Sequence, residues 1–263
     1  MTELLVPGLC AAFAWWATTG IILWLDHRAP STYPLTLAGA TGLLIVGLYG
    51  LAVTAAQPTE SGAYLAFASA LLVWSWIEVT FLLGYVLGPR RTPCPPLATG
   101  WRRFRYAVSA ILWHELAILA LAVAVLAITR DAVNPVGAWT FLALWVLRTS
   151  AKLNLFLGVR NLGADLLPEH LRYLQGYFRK RPMNALFPLS VSAGTAVAAW
   201  LYWVAWGALG GADAGFAVTA YALVATLVGL AVLEHWLLVL PTPGDWLWTW
   251  ALGGRDAKEA RPT

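Results

Sequence analysis

Apolar residues run through this chain in blocks too long for the strands or half-buried helices of a water-soluble domain. Runs of roughly 20 residues, the length a bilayer core demands, fall at about 4–25, 34–56, 62–88, 106–128, 135–158, 185–210 and 215–240. The breaks between them suit turns: Asp26-His27-Arg28-Ala29-Pro30, Gln57-Pro58-Thr59, the stretch from Pro89 to Pro96, Asn134-Pro135 and Gly210-Gly211. The pattern predicts an all-α integral membrane protein, a single polytopic domain over 1–263 built as a bundle of about seven transmembrane helices. The first run lacks the basic leader of a cleavable signal, so it counts as a span. No internal repeat is visible.

Composition strengthens this picture. Hydrophobic residues make up 60% of the chain and charged ones 11%, against about 25% charged in a soluble domain. Several of the 16 Trp, among them Trp101, Trp206, Trp246 and Trp250, fall at or beyond predicted segment ends, where the amphipathic indole favours the membrane boundary. Cys10 and Cys94 amount to no disulfide framework. The net charge of +4 reads as orientation and contact with anionic membrane lipid, not as a nucleic-acid surface.

The basic residues set the orientation. Arg28, the loops with Arg90, Arg91, Arg102, Arg103 and Arg105 and with Arg160, Arg172, Arg179, Lys180 and Arg181, and the tail with Arg255, Lys258 and Arg261 all fall on one side. The opposite side has only Arg130. The positive-inside rule then predicts a periplasmic N-terminus and a cytoplasmic tail over 241–263, in the bacterial cytoplasmic (inner or intracytoplasmic) membrane.

Against that topology, ionisable residues inside the spans stand out. At 1.5 Å per residue, His114 lies about 13 Å beyond Arg105, Glu78 about 16 Å before Pro89, Arg148 about 18 Å before Arg160 and Glu234 about 10 Å before Pro241. One layer is predicted from four spans: Glu78, the pair His114 and Glu115, the pair Arg148 and Lys152 with Asn154, and the pair Glu234 and His235. Each such side chain costs about 2.5 to 3.5 kcal/mol to insert, so the group is expected to converge on the bundle interior. Three carboxylates face two cations, which leaves one negative charge for a protonated carboxyl, an imidazolium or a bound cation to balance. Arg148 is expected to pair with Glu78 or Glu115, with Glu115 the preferred counter-ion, while Lys152 has the length to snorkel away to the interface.

Three uses of the layer stay open at this level. It is polar glue that fixes helix registration, a metal site of Glu and His ligands, or a place where His114 or His235 ligates the metal of a tetrapyrrole such as bacteriochlorophyll. Adjacent His114 and Glu115 point about 100° apart, unlike the Glu-x-x-His spacing of di-iron bundles.

The connections add less. Residues 165–182 read as a basic amphipathic helix at the cytoplasmic interface, with Leu171, Leu174 and Phe178 on one face. Cys94-Pro95 is a very short haem-like motif that an ordinary turn accounts for, and GDWLWTWAL suits an interfacial anchor. There is no phosphate loop, no Gly-x-Ser-x-Gly and no HExxH, so no conventional enzyme is indicated.

Four stretches, WSWIEVTFLLGYVLGPRR, GWRRFRYAVSAILWHELAIL, GAWTFLALWVLRTSAKLNLFLGVRN and LPEHLRYLQGYFRKRPMNALFP, resemble the photosynthetic complex assembly protein family PuhE, multi-spanning proteins of anoxygenic phototrophic bacteria. The likeness extends over nearly the whole chain. It implies a role alongside assembly of the reaction centre and core light-harvesting antenna, with an influence on bacteriochlorophyll supply. Implied partners are reaction centre or core antenna subunits and other assembly factors. The resemblance brings no catalytic residues, and two alternatives stand beside it: a membrane-embedded metalloenzyme of tetrapyrrole metabolism that uses the Glu/His layer, and a non-catalytic membrane scaffold.

Overall fold

A computed structural model describes residues 2–163, 167–211, 214–241 and 250. Long helices account for nearly all of the apolar runs: α1 (Thr2–Asp26), α2 (Tyr33–Thr54), α3 (Glu60–Leu82), α4 (Gly100–Ile128), α5 (Val136–Leu157), α6 (Leu186–Gly207) and α7 (Ala214–Leu237). Six of them, all but α5, are long and apolar enough to cross a membrane, and the described residues contain no strand. The exception is the helix that carries Arg148, Lys152 and Asn154.

Local chemistry sets the helix ends. The Thr59 hydroxyl accepts the Gly62 N–H at 3.0 Å to start α3, and the Asn184 side chain accepts the Leu186 and Phe187 amides at 2.8 and 3.2 Å to start α6. Beyond α3 the apolar run continues to residue 88, but the helix does not. Gly84 turns the chain at φ 84°, and the amides of Tyr85 and Val86 both return to the Thr80 carbonyl at 3.0 Å. The expected span over 62–88 is therefore six residues shorter at its end, because hydrophobicity does not register a left-handed glycine.

Helices α3 and α7 form the centre. One core cluster joins α1, α3, α5, α6 and α7 through residues such as Ala63, Phe67, Leu223 and Leu227, and a second joins α2, α3, α4 and α5 around Leu51, Ile77, Ile118 and Phe141. Exposed apolar side chains, including Leu35, Ile45, Val123 and Trp203, cover the perimeter as a lipid-facing shell. At one end the α2–α3 and α4–α5 turns meet, with the Asn134 amide donating to the Ala55 carbonyl at 3.1 Å and its side chain to the Gln57 carbonyl at 3.2 Å.

The opposite, arginine-rich end is closed by a cap. Residues expected to form an amphipathic α-helix within 165–182 instead wind as 3-10 turns over Glu169–Tyr177. Leu171, Leu174 and Tyr177, three apart, are the buried positions, and Phe178 is only partly covered. The α-helical period misplaced the last contact because the tighter coil repeats every three residues. His170 Nε2 lies 2.9 Å from the Leu82 carbonyl at the end of α3. Tyr177 accepts from Arg90 Nε at 2.8 Å and donates to the Thr92 carbonyl at 2.9 Å, and burial pushes its phenol pKa up. Arg103, nearly fully buried, ties the cap to the bundle by donating to the carbonyls of Phe156, at 3.0 Å, and Tyr177. Of the tail 241–263 only Pro241 and Trp250 are described, so the anchor expected around Trp246 and the basic residues Arg255, Lys258 and Arg261 lie outside the described residues.

Candidate functional site

The ionisable residues of α3, α4, α5 and α7 come together in the arginine-rich half of the bundle, and two ion pairs organise them. Arg148 Nη2 donates to Glu78 Oε2 at 2.9 Å, and Lys152 Nζ donates to Glu115 Oε1 at 2.5 Å. This corrects two expectations. Glu115 is not the partner of Arg148, and Lys152 does not snorkel away but reaches across to α4. The two cations lie one helical turn apart on α5, so they meet carboxylates at two levels. Glu78 on central α3 takes the deeper cation, and Glu115 on peripheral α4 takes the shallower one.

The two pairs differ in surroundings. The Glu78 side chain is 9% exposed, whereas that of Arg148 is 45% exposed. The exposed apolar positions of α5 include Val146, Leu153 and Leu157, and Arg148 is about 200° around the helix from Val146. One of its guanidinium donors is on Glu78. Glu78 Oε1 is buried and has no hydrogen-bond partner among the described residues.

His114 is 2% exposed, with its ring centroid 4.4 Å from that of Phe81. Its Nδ1 is buried without a hydrogen-bond partner among the described residues. Its backbone amide donates to the Leu87 carbonyl at 3.0 Å, and the Arg90 amide donates to the Ser109 carbonyl at 3.3 Å. The segment after α3 therefore folds back and inserts into the α4 hydrogen-bond ladder one turn before the histidine. A Cβ on Gly88 would lie 2.2 Å from the Ser109 carbonyl oxygen, so only glycine permits this approach. Of the tryptophans near in sequence, Trp113 points outward, and Trp74 packs edge-on against Phe141 with ring centroids 5.6 Å apart.

On α7 the neighbours Glu234 and His235 serve different groups. Glu234 Oε1 accepts from the Trp15 indole of α1 at 2.7 Å. His235 is fully covered, with Nδ1 2.7 Å from the Ala231 carbonyl and Nε2 2.9 Å from Ser150 Oγ. A carbonyl accepts only, so Nδ1 carries a proton and donates. The Ser150 hydroxyl continues to Ser190 Oγ at 2.9 Å, which also accepts from Asn154 Nδ2 at 3.2 Å. Asn184 Nδ2 then reaches Asn154 Oδ1 and the Gly158 carbonyl at 3.0 and 2.9 Å. Both ring nitrogens of His235 are engaged, so to ligate a tetrapyrrole metal it would have to release one. His114 keeps an unengaged nitrogen, but Phe81 packs against its ring.

Among the described residues no three of His, Cys, Asp and Glu stand close enough to hold a metal ion. The sequence pattern points to Glu78, His114, Glu115, Arg148, Lys152, Asn154, Glu234 and His235, and misses Trp15, Phe81, Asn184 and Ser190. Nothing distinguishes Trp15 in a chain with 16 tryptophans. Ser190 and Asn184 sit where α6 begins, positions that read as a helix start with no sign of what they face.

Fold and layer together define a multi-pass α-helical membrane protein with a buried, ion-paired polar layer. The chain belongs to the family described as "Protein of unknown function (DUF3623)", whose profile matches residues 1–259. It is 40% identical over 250 residues to a protein of Rhodobacter capsulatus titled "Uncharacterized 30.4 kDa protein in puhA 5'region", covering 93% of this chain and 89% of that protein. No solved structure matches the chain.

Proposed function

We propose that this protein is a PuhE-type assembly or pigment-handling factor for the photosynthetic reaction centre and its core light-harvesting complex, acting on bacteriochlorophyll supply. The observation that carries this reading is the relative encoded in the puhA 5' region, a photosynthesis gene-cluster position, whose similarity extends across nearly the whole chain. The geometry favours an assembly role over catalysis: the charged groups are mostly held in ion pairs and hydrogen bonds inside the bundle, while the perimeter is apolar and suited to partner helices as well as lipid. On this reading seven helices span the inner or intracytoplasmic membrane, with the N-terminus periplasmic and the tail cytoplasmic. The partners are reaction centre or core antenna subunits and other assembly factors, and bacteriochlorophyll or another tetrapyrrole is the candidate cofactor. The metalloenzyme alternative gains no support from the described residues, which lack a converged ligand set.

The test is deletion of the gene in a phototrophic host, with reaction centre and core antenna absorbance followed as pigment complexes form, and gentle purification of the protein for an absorption spectrum and elemental analysis. Reduced core-complex absorbance restored by the intact gene supports the reading. Bound pigment would identify a pigment carrier, and no pigment a scaffold. Undiminished absorbance in the deletion strain would overturn the assembly role, and stoichiometric iron or zinc would move the reading to the metalloenzyme.

A further inference from the structure

The charge surplus of the layer has a definite place. Glu78 is neutralised by Arg148 and Glu115 by Lys152, each within ion-pair distance. Among the described residues Glu234 has no cation at that distance, and the one hydrogen bond it receives from them comes from the neutral indole of Trp15. The groups in its electrostatic field are Arg148 from α5, Glu78 from α3, Trp15 from α1 and His235 beside it on α7, and Arg148 already serves Glu78. His235 is not within ion-pair distance of Glu234. Its ring contacts a carbonyl and a hydroxyl, and an imidazolium there would itself lack a carboxylate within ion-pair distance.

An isolated carboxylate inside a bilayer is far costlier than its neutral acid, and such groups take up a proton. We propose that Glu234 is a proton-binding site, a neutral carboxyl in the resting bundle and the member of the layer whose charge a ligand, a partner or a rise in pH alters. The half-exposed guanidinium of Arg148 lies between Glu78 and Glu234 in electrostatic terms. Loss of the Glu234 proton therefore creates a second claimant for Arg148 and loosens the α3–α5 pair. This inference does not depend on the photosynthetic reading, and it is tested on the protein alone.

The experiment is infrared spectroscopy of the full-length protein in lipid vesicles at neutral pH, together with accumulation and thermal melting of Glu234→Gln and Glu78→Gln. Glutamine mimics the neutral acid, so Glu234→Gln should accumulate and melt like wild type. Glu78→Gln should lower the folded fraction by at least about tenfold, because it strands a charged guanidinium. The wild-type spectrum should show a protonated-carboxyl C=O stretch that shifts in heavy water and disappears in Glu234→Gln. A wild type without that band, a band that survives in Glu234→Gln, or a Glu234→Gln protein as scarce as Glu78→Gln would each overturn the assignment. Glu78→Gln accumulating like wild type would move the proton to Glu78 and overturn it as well.

Discussion

Arg148 on α5 donates to Glu78 on α3 across 70 residues of sequence at 2.9 Å, a nearly covered carboxylate meeting a guanidinium that is 45% exposed. Its removal defines the first prediction. Arg148→Leu leaves a nearly covered carboxylate without its cation and should reduce the folded protein in membranes, at a cost near the lower end of the roughly 3 to 5 kcal/mol seen for breaking buried pairs. The lower end applies because the guanidinium is half exposed. Arg148→Lys keeps the charge and should be milder. Quantitative immunoblotting and thermal melting of both variants check this; if Arg148→Leu accumulates normally, the pair contributes no net stability.

Asn184 is the second test. Its amide holds the Asn154 side chain and the Gly158 carbonyl while its oxygen starts α6, so Asn184→Leu strands several buried groups at about 1 to 3 kcal/mol each before relaxation. Ser190→Ala removes one hydroxyl from the same chain and should cost distinctly less. A melting series in one detergent or lipid ranks the two, and equal losses would mean that the network is not graded in this way.

The third prediction concerns the inserted segment. Gly88→Ala places a methyl 2.2 Å from the Ser109 carbonyl, against backbone that cannot swing aside, and overpacking of this kind costs about 1 to 3 kcal/mol. Gly39, on an open face of α2 where an added methyl would meet nothing within 4 Å, is the control; Gly39→Ala should be neutral or slightly stabilising. Melting temperatures that fall equally for both would rule out the close approach as the reason for Gly88.

Much of this was legible in the sequence. Long apolar runs and turn residues located the long helices with ends off by up to six residues, since bilayer thickness and backbone hydrogen bonding leave the chain little choice. Counting residues inward from the loops also placed Glu78, His114, Arg148 and Glu234 at similar depth. Pairing was not legible. Whether Arg148 meets Glu78 or Glu115 depends on which helix lies central and on helix rotation, which residue spacing along one helix does not encode. The fold-back of residues 85–90 onto α4 was hidden for a related reason: an apolar segment hydrogen-bonded to a helix backbone reads the same as the last turns of a span.

Sidedness is the fourth prediction, motivated by the single Arg130 opposing fourteen other loop and tail basic residues. In a background with Cys10 and Cys94 replaced by serine, a cysteine at Thr59 should react with an impermeant reagent added from the periplasm. One at Thr99 should react only after the membrane is opened. The reverse pattern would invert the orientation.

The last prediction concerns the two ionisable neighbours in the middle of α4. Glu115 meets Lys152, and both are partly open, so Glu115→Ala should lower accumulation only slightly, with the lysine released toward the interface. His114 is different, because a buried ring nitrogen without a partner among the described residues costs about 1 to 3 kcal/mol that a phenyl ring would not. His114→Phe should therefore accumulate at least as well as wild type, packed on Phe81 as the imidazole is. If the nitrogen serves pigment-complex assembly, the same variant should show reduced core-antenna absorbance at unchanged protein level. Both quantities are read from one membrane preparation, by immunoblot and absorption spectrum. His114→Phe with full absorbance would make the imidazole dispensable, and a variant that loses the protein itself would show that the ring's polarity, not its shape, supports the fold.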